Sequence, residues 1–161
     1  MDNIQFVPVK ESQAGLIGQL RQKAWAATYR GIYPDELMAK FDLDWHKERD
    51  LMRLRNPLFH HYFIQRNGVS VGYLTLKEEP ILLIYSLYLL PEAQKQGIGK
   101  RTFAFVEVFC AQRSIHTFSC HCQPDNTNAM DFYRHMGGQI VARDEGNKER
   151  WQNTVVFQFN V

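Results

Sequence analysis

Between an apolar run that ends at Pro91 and a helical pattern that opens near Gly97 stands the segment Gln94-Lys95-Gln96-Gly97-Ile98-Gly99-Lys100. A helix N-terminus carries backbone N–H groups without intrahelical partners and the positive end of the helix dipole, so a turn placed there suits a phosphate. Two glycines flanking a single residue remove Cβ atoms where an anion would approach and permit unusual backbone dihedrals. Lys95, Lys100 and Arg101 add positive charge at the same place. A tight strand-to-helix turn without a ligand would use the same glycines, and the segment alone leaves both readings open. Two other phosphate motifs fail residue by residue. A dinucleotide fingerprint needs Gly where Thr102 stands, and a P-loop needs Gly at Gln94 and Ser or Thr at Arg101.

A second stretch pairs with the first. Ala129, Phe132, Tyr133 and Met136 recur at helical spacing behind Asn126, a candidate N-cap, and Gly137-Gly138 supplies a stop. Periodicity alone makes Tyr133 a core aromatic, with one of Phe132 and Tyr133 packing inward. Cys120-His121-Cys122 offers three nominal metal ligands, but in a strand the two cysteines face one way and the histidine the other, so buried thiols and no metal are expected.

These residues need elements to hold them. Ile4 to Val9 alternates like a half-buried strand, and Glu11 to Thr28 is helical, with Tyr29 to Pro34 a break. A helix is expected from Asp44, as N-cap, to Arg55. His61 to Arg66 and Val69 to Lys77 form a hairpin around Asn67-Gly68, a preferred pair for a two-residue turn with positive φ. Ile81 to Leu90 is apolar almost throughout and reads as a central strand buried on both faces. Gly97 to Arg113 is a helix, Ile115 to Cys122 a strand, Asn126 to Met136 a helix, and Gln139 to Asp144 and Arg150 to Phe159 are strands. The order predicts an α/β (α+β) fold with a mixed, mostly antiparallel sheet flanked by helices. No linker or repeat divides the 161 residues, so one domain over 1–161 is expected.

Composition excludes several classes. Apolar residues at 45% with 11 Phe, 7 Tyr and 3 Trp can build a core, which argues against disorder. A net charge of +2 is too small for a protein that holds nucleic acid by its phosphates. No apolar run approaches the ~20 residues of a membrane span. The first residues carry no signal-peptide pattern and the three cysteines lack a disulfide framework, so a reducing cytoplasm is the expected location. Lys95, Lys100 and Arg101 against Glu92 give residues 92–101 a charge of +2, equal to that of the whole chain. The excess positive charge therefore sits at the phosphate-like turn.

Leu87-Tyr88-Leu89-Leu90-Pro91 followed by Gln94-x-x-Gly97-x-Gly99 resembles the acetyl-coenzyme A signature of the GNAT superfamily of N-acetyltransferases. Asn126-x-x-Ala129-x-x-Phe132-Tyr133-x-x-x-Gly137 is similar to that superfamily's other cofactor segment, and Trp25-x-x-x-Tyr29-x-Gly31-x-x-Pro34 to its first helix and loop. The resemblance implies a central strand splayed by a bulge, whose backbone at Leu87 and Leu89 pairs with the pantetheine arm. It implies a pyrophosphate on the N–H groups of Gln94, Lys95, Gln96, Gly97, Ile98, Gly99 and Lys100, with the Gln94 side chain bracing the turn. A β-branched residue at Gly97 or Gly99 should then abolish acetyl-CoA binding and leave the fold. The resemblance also implies Asn126 near the pantetheine and Tyr133 as the acid that protonates the departing thiolate. A phenol of ordinary pKa near 10 can give its proton to a thiolate of pKa about 8 to 9. The expected activity is acetyl transfer from acetyl-CoA, as co-substrate, to a small-molecule or peptide amine. A catalytically degenerate acyl-CoA-binding regulatory domain is the alternative, and a homodimer, common in the family, stays open.

The sequence departs from the family where many members carry Glu on the central strand; here Leu82-Leu83-Ile84-Tyr85-Ser86 has no carboxylate. Glu78, Glu79, Tyr85 and His121 remain as candidate bases. Residues 35–50 hold six acidic residues against three basic ones, which would attract a cationic amine if they faced the site and is otherwise a solvated helix face. His46, His60 and His61 read as surface or strand-edge residues, and Trp25 and Tyr29 as either pocket lining or core.

Overall fold

The computed structural model describes residues 2–161. Seven strands, β1 (Ile4–Pro8), β2 (Phe59–Arg66), β3 (Val69–Lys77), β4 (Leu83–Leu89), β5 (Thr117–Cys122), β6 (Gln139–Asp144) and β7 (Thr154–Asn160), form one sheet in the order β1-β2-β3-β4-β5-β7-β6. β4 and β5 pair in parallel and every other pairing is antiparallel. The helices are α1 (Ala14–Thr28), α2 (Asp35–Ala39), α3 (Leu43–Leu54), α4 (Ile98–Gln112) and α5 (Thr127–His135). The expected mixed, mostly antiparallel sheet flanked by helices is what forms.

Alternation along β2 and β3 divides the core into two layers. Phe63 and Tyr73 pack with Ile17 of α1, whereas their neighbours Ile64 and Leu74 join Phe103 and Val106 of α4 and Phe118 of β5. The α4 side is the larger, with rings of Phe103, Phe118, Phe157 and Phe159 in mutual contact. The β2–β3 hairpin turns on Asn67 and Gly68, both at positive φ (52° and 83°), as their types predict.

Several bounds differ from expectation: β7 begins at Thr154, after a short 3-10 turn at Arg150–Gln152, and not at Arg150, and β2 begins at Phe59 and not at His61. α3 is capped by Asp42, whose carboxylate accepts from the N–H groups of Asp44 and Trp45, so the helix starts before the expected Asp44. α2 forms within the segment between α1 and α3, where only loop was expected. The expectation of a central strand buried on both faces is corrected. In β4 only Ile84 is buried, and Tyr85 is 39% exposed. Its apolar residues line an opening in the sheet.

That opening has a local cause. On β4, Ser86 lies opposite Thr75 and Ile84 opposite Leu76, which leaves Tyr85 as the extra residue of a bulge. A bulge bends its strand and increases its twist. β4 meets β5 at Leu83 and Ile84, opposite Ser119 and Cys120, and the two then part. The edge of β4 from Tyr85 to Leu89 that faces β5 is left without a protein strand, which is the splay the resemblance implied.

Candidate functional site

The splay opens into a cleft of about 710 Å³ between β4, the N-terminus of α4 and one face of α5. Leu87, Leu89, Gln94, Lys95, Gly97, Gly99, Lys100, Asn126 and Tyr133 all line it. Segments from opposite halves of the C-terminal region thus share one cavity. Gln96 and Ile98 do not line it. The Ile98 side chain is buried in the core, and the Gln96 amide bonds Arg66 and the Glu92 carbonyl. What these two bring to the turn is backbone. Arg101 also points elsewhere, donating to the Asp2 carbonyl at 3.4 Å.

The turn has the geometry of an anion cradle. Lys95 and Gly97 adopt left-handed backbone (φ 59° and 80°), the kind of conformation that forms concave arrays of amides. The first intrahelical bond at this end runs from Arg101 N–H to the Gly97 carbonyl at 3.1 Å, so the N–H groups of Ile98, Gly99 and Lys100 are left for another acceptor. The Gln94 side chain donates to the Leu89 carbonyl at 3.1 Å and braces the turn against β4, as expected. The two glycines divide their work. A Cβ at Gly97 would meet nothing within 4 Å, whereas one at Gly99 would stand 2.8 Å from the Phe132 ring. Gly97 serves the turn, and Gly99 lets α4 and α5 approach. A side chain at Gly97 would strain the left-handed turn without touching the packing, whereas one at Gly99 would push α5 away from α4, which counts against the expectation that Gly99 could be replaced with the fold intact.

Asn126 caps α5 through its side-chain oxygen, which accepts from Ala129 N–H at 3.3 Å. Tyr133 is the inward member of its pair. It is 8% exposed and packed among Phe103, Phe157 and Phe159. Burial, with the Cys120 thiol beside it, pushes its phenol well above the ordinary range. It is therefore neutral at ordinary pH and a weaker acid than a free phenol, so any proton it gives to a departing thiolate must move as the C–S bond breaks. Tyr88 joins Tyr29 by a hydroxyl–hydroxyl hydrogen bond of 2.7 Å, and burial pushes the Tyr88 phenol to about 12.

A second pocket of about 490 Å³ lies on the α1–α3 side and shares Ile84, Tyr85, Ser86, Tyr88 and His121 with the first. The bulge is thus where two cavities meet. Trp25 lines the second pocket and Tyr29 the first, and both also pack in the aromatic cluster under α1. The remaining lining includes Arg21, Trp45, His46, Arg49 and Arg53, which the sequence reading had not assigned to a site. Their signal was the spacing of His46, Arg49 and Arg53 on one face of a helix, a polar stripe turned toward the protein.

The acidic residues of segment 35–50 line neither pocket. Asp50, the buried one, has both oxygens on the Arg21 guanidinium, at 2.9 and 3.0 Å. Of the two expected alternatives the segment is therefore the solvated face, with Asp35, Glu36, Asp42, Asp44 and Glu48 exposed. Arg21 also donates to His46 Nδ1 at 3.1 Å, and burial with that cation beside it lowers the His46 pKa. Of the candidate bases, Glu78 is held by His60 and Arg113 outside both pockets, and Glu79 lines neither. Tyr85 and His121 stand at the junction. Cys120 and Cys122 are buried on one face of β5 with His121 exposed on the other, and no metal-ligand cluster of three occurs among the described residues. Among the described residues no helix is long and apolar enough to cross a membrane.

Solved structures share this architecture at low sequence identity. A PaiA N-acetyltransferase from Thermoplasma acidophilum in complex with coenzyme A superposes with a TM-score of 0.81 at 18% identity, covering 99% of each chain. An acetyltransferase from Thermus thermophilus gives 0.78 at 16%, over 99% of this chain and 97% of that one. A Salmonella typhimurium acetyl transferase that modifies the N-terminal serine of ribosomal protein L7/L12 gives 0.77 at 16%, over 98% and 95%. No curated protein matches the sequence significantly. Residues 19–137, which hold the bulged strand, the glycine turn and the Asn126-to-Gly137 segment, match the acetyltransferase (GNAT) family, and the chain belongs to that family.

Proposed function

We propose that this protein transfers an acetyl group from acetyl-CoA to a primary amine, with the cofactor in the first cavity and the amine entering through the second. The observation that carries the reading is the junction at the bulge. An unpaired strand edge at Leu87 and Leu89, an amide-lined turn at Lys95 to Lys100 and a protonated phenol at Tyr133 all face one cleft, and a separate pocket opens where that cleft reaches Ser86.

The pantetheine arm takes the place of the strand missing beside β4, and its pyrophosphate sits on the amides of the turn with Lys95 and Lys100 near it. The neutral amine attacks the thioester carbonyl. A C–N bond forms, and the tetrahedral intermediate expels the thiolate as the C–S bond breaks. Tyr133 protonates that sulfur and regains its proton from solvent. The proton lost by the amine passes to His121, directly or through water. Holding amine and thioester together across the junction supplies much of the acceleration.

A thiol-release assay with acetyl-CoA against an amine panel tests the reading. Turnover supports a transferase. Cofactor binding without turnover of any amine would point to a regulatory acyl-CoA-binding domain.

A further inference from the structure

The second pocket carries a charge pattern that acetyl transfer as such does not require. Arg21 is satisfied by Asp50, with Nε also donating to Tyr73 Oη at 3.1 Å. Arg49 and Arg53 are one helical turn apart on α3, and among the described residues neither forms an ion pair. They rest on aromatic rings instead. Arg49 lies 5.0 Å from the Trp45 centroid and Arg53 4.7 Å from that of Tyr85, whose hydroxyl accepts from Arg53 Nη2 at 2.8 Å. Three guanidinium groups line the pocket and only that of Arg21 is paired with a carboxylate, so the half-buried Arg53 and the exposed Arg49 bring two unpaired positive charges to a lining without an acidic side chain.

A neutral donor points the same way. A guanidinium can only donate, so its contact to His46 Nδ1 leaves that nitrogen as acceptor and puts the ring hydrogen on Nε2. Trp25, also in the lining, packs its indole against Tyr88 at 6.4 Å between centroids. The pocket therefore offers donors and cations to its occupant, between flat aromatic walls, in a volume of small-molecule size. Guanidinium forks match carboxylates and phosphates with two parallel hydrogen bonds. A polyamine would meet only like charge here.

Resting on the transferase reading, we propose that the acceptor is a small amine that also carries an oxyanion on a flat or apolar body, with Arg49 and Arg53 holding the oxyanion while the amine reaches Ser86 and His121.

L-Phenylalanine and phenethylamine differ by one carboxylate, and 1-amino-2-phenylethylphosphonate carries a phosphonate in its place. In the thiol-release assay kcat/KM for phenylalanine should exceed that for phenethylamine by about tenfold, and the ratio should fall toward one in Arg49→Gln and in Arg53→Gln. A preference for the phosphonate over phenylalanine that the same substitutions erase also supports the proposal and assigns the oxyanion as phosphate-like. Preference for phenethylamine or spermidine, or a ratio that neither substitution moves, overturns it. Calorimetric binding of N-acetyl-L-phenylalanine and of N-phenethylacetamide to the CoA-saturated protein separates this proposal from the activity it rests on. The acid bound about tenfold tighter, with no amine turned over, sustains the pocket chemistry and sinks the transferase reading. Equal binding of the two overturns the pocket chemistry, whatever the turnover.

Discussion

Both carboxylate oxygens of Asp50 are held by the guanidinium of Arg21, at 2.9 and 3.0 Å, across the contact between α1 and α3, and neither side chain is more than 6% exposed. The pair locks the two helices that wall the second pocket. Removing one partner leaves a buried charge without compensation. Asp50→Ala should therefore cost about 3–5 kcal/mol of stability, read as a lowered urea midpoint. The double variant Arg21→Met, Asp50→Leu should recover a large part of it. A midpoint that Asp50→Ala leaves unchanged would show that the pair is not structural.

The two glycines of the turn should separate in experiment. Gly97→Val adds a side chain in open space at a left-handed backbone position, so it should strain the turn by about 1–3 kcal/mol and weaken CoA binding more than about tenfold. Gly99→Ala pushes a Cβ against Phe132 and should cost about 1–3 kcal/mol in thermal stability, with Phe132→Leu restoring it. Circular dichroism and calorimetry with CoA distinguish the two.

Tyr133→Phe keeps the ring and its packing and removes the proton. We expect kcat to fall by about 10²–10⁴ with acetyl-CoA affinity unchanged. A fully active Phe variant would take Tyr133 out of the mechanism.

His121→Ala should lower kcat/KM by about 10², whereas Glu78→Gln, at an ion pair outside both pockets, should leave the rate as it is. The reverse ranking would move the base to Glu78.

His61 is 6% exposed on β2, with Nδ1 bonded to Thr75 Oγ1 at 3.0 Å and Nε2 buried without a partner. Burial pushes its pKa down to about 4, against about 6.5 in an unfolded chain. Between those values the unfolded state takes a proton that the folded state refuses. The contribution is therefore whole above about pH 6.5 and lost as pH falls toward 4, on the order of 3 kcal/mol in all. Thermal midpoints measured across this window should drop steeply, and much less steeply for His61→Phe. His46, also lowered, acts in the same direction.

The cofactor half was legible because its chemistry is local. Gly97 at the start of a helix, Gln94 one turn before it and Asn126 at an N-cap each act through backbone within a few residues, so their types and spacing carried the information. The hairpin at Asn67-Gly68 was legible for the same reason. The strand-versus-cleft character of Ile81 to Leu90 was not. An apolar run reads alike whether helices cover it or a cavity lies beside it, and only the bulge at Tyr85 decided between them.

The acceptor side shows the same division more sharply. Six acidic residues near α3 read either as a draw for cations or as a solvated face; in three dimensions the buried one, Asp50, is neutralised by Arg21, a residue 29 positions away, and the α3 side chains that line the second pocket include Arg49 and Arg53. By itself the sequence determined the family, the fold class and the glycine turn at the start of α4, because these rest on short-range backbone geometry. Only the tertiary structure decided the charge of the second pocket. A pocket's field is the sum over side chains brought together from distant helices, and which of those charges cancel is settled by pairing across the fold.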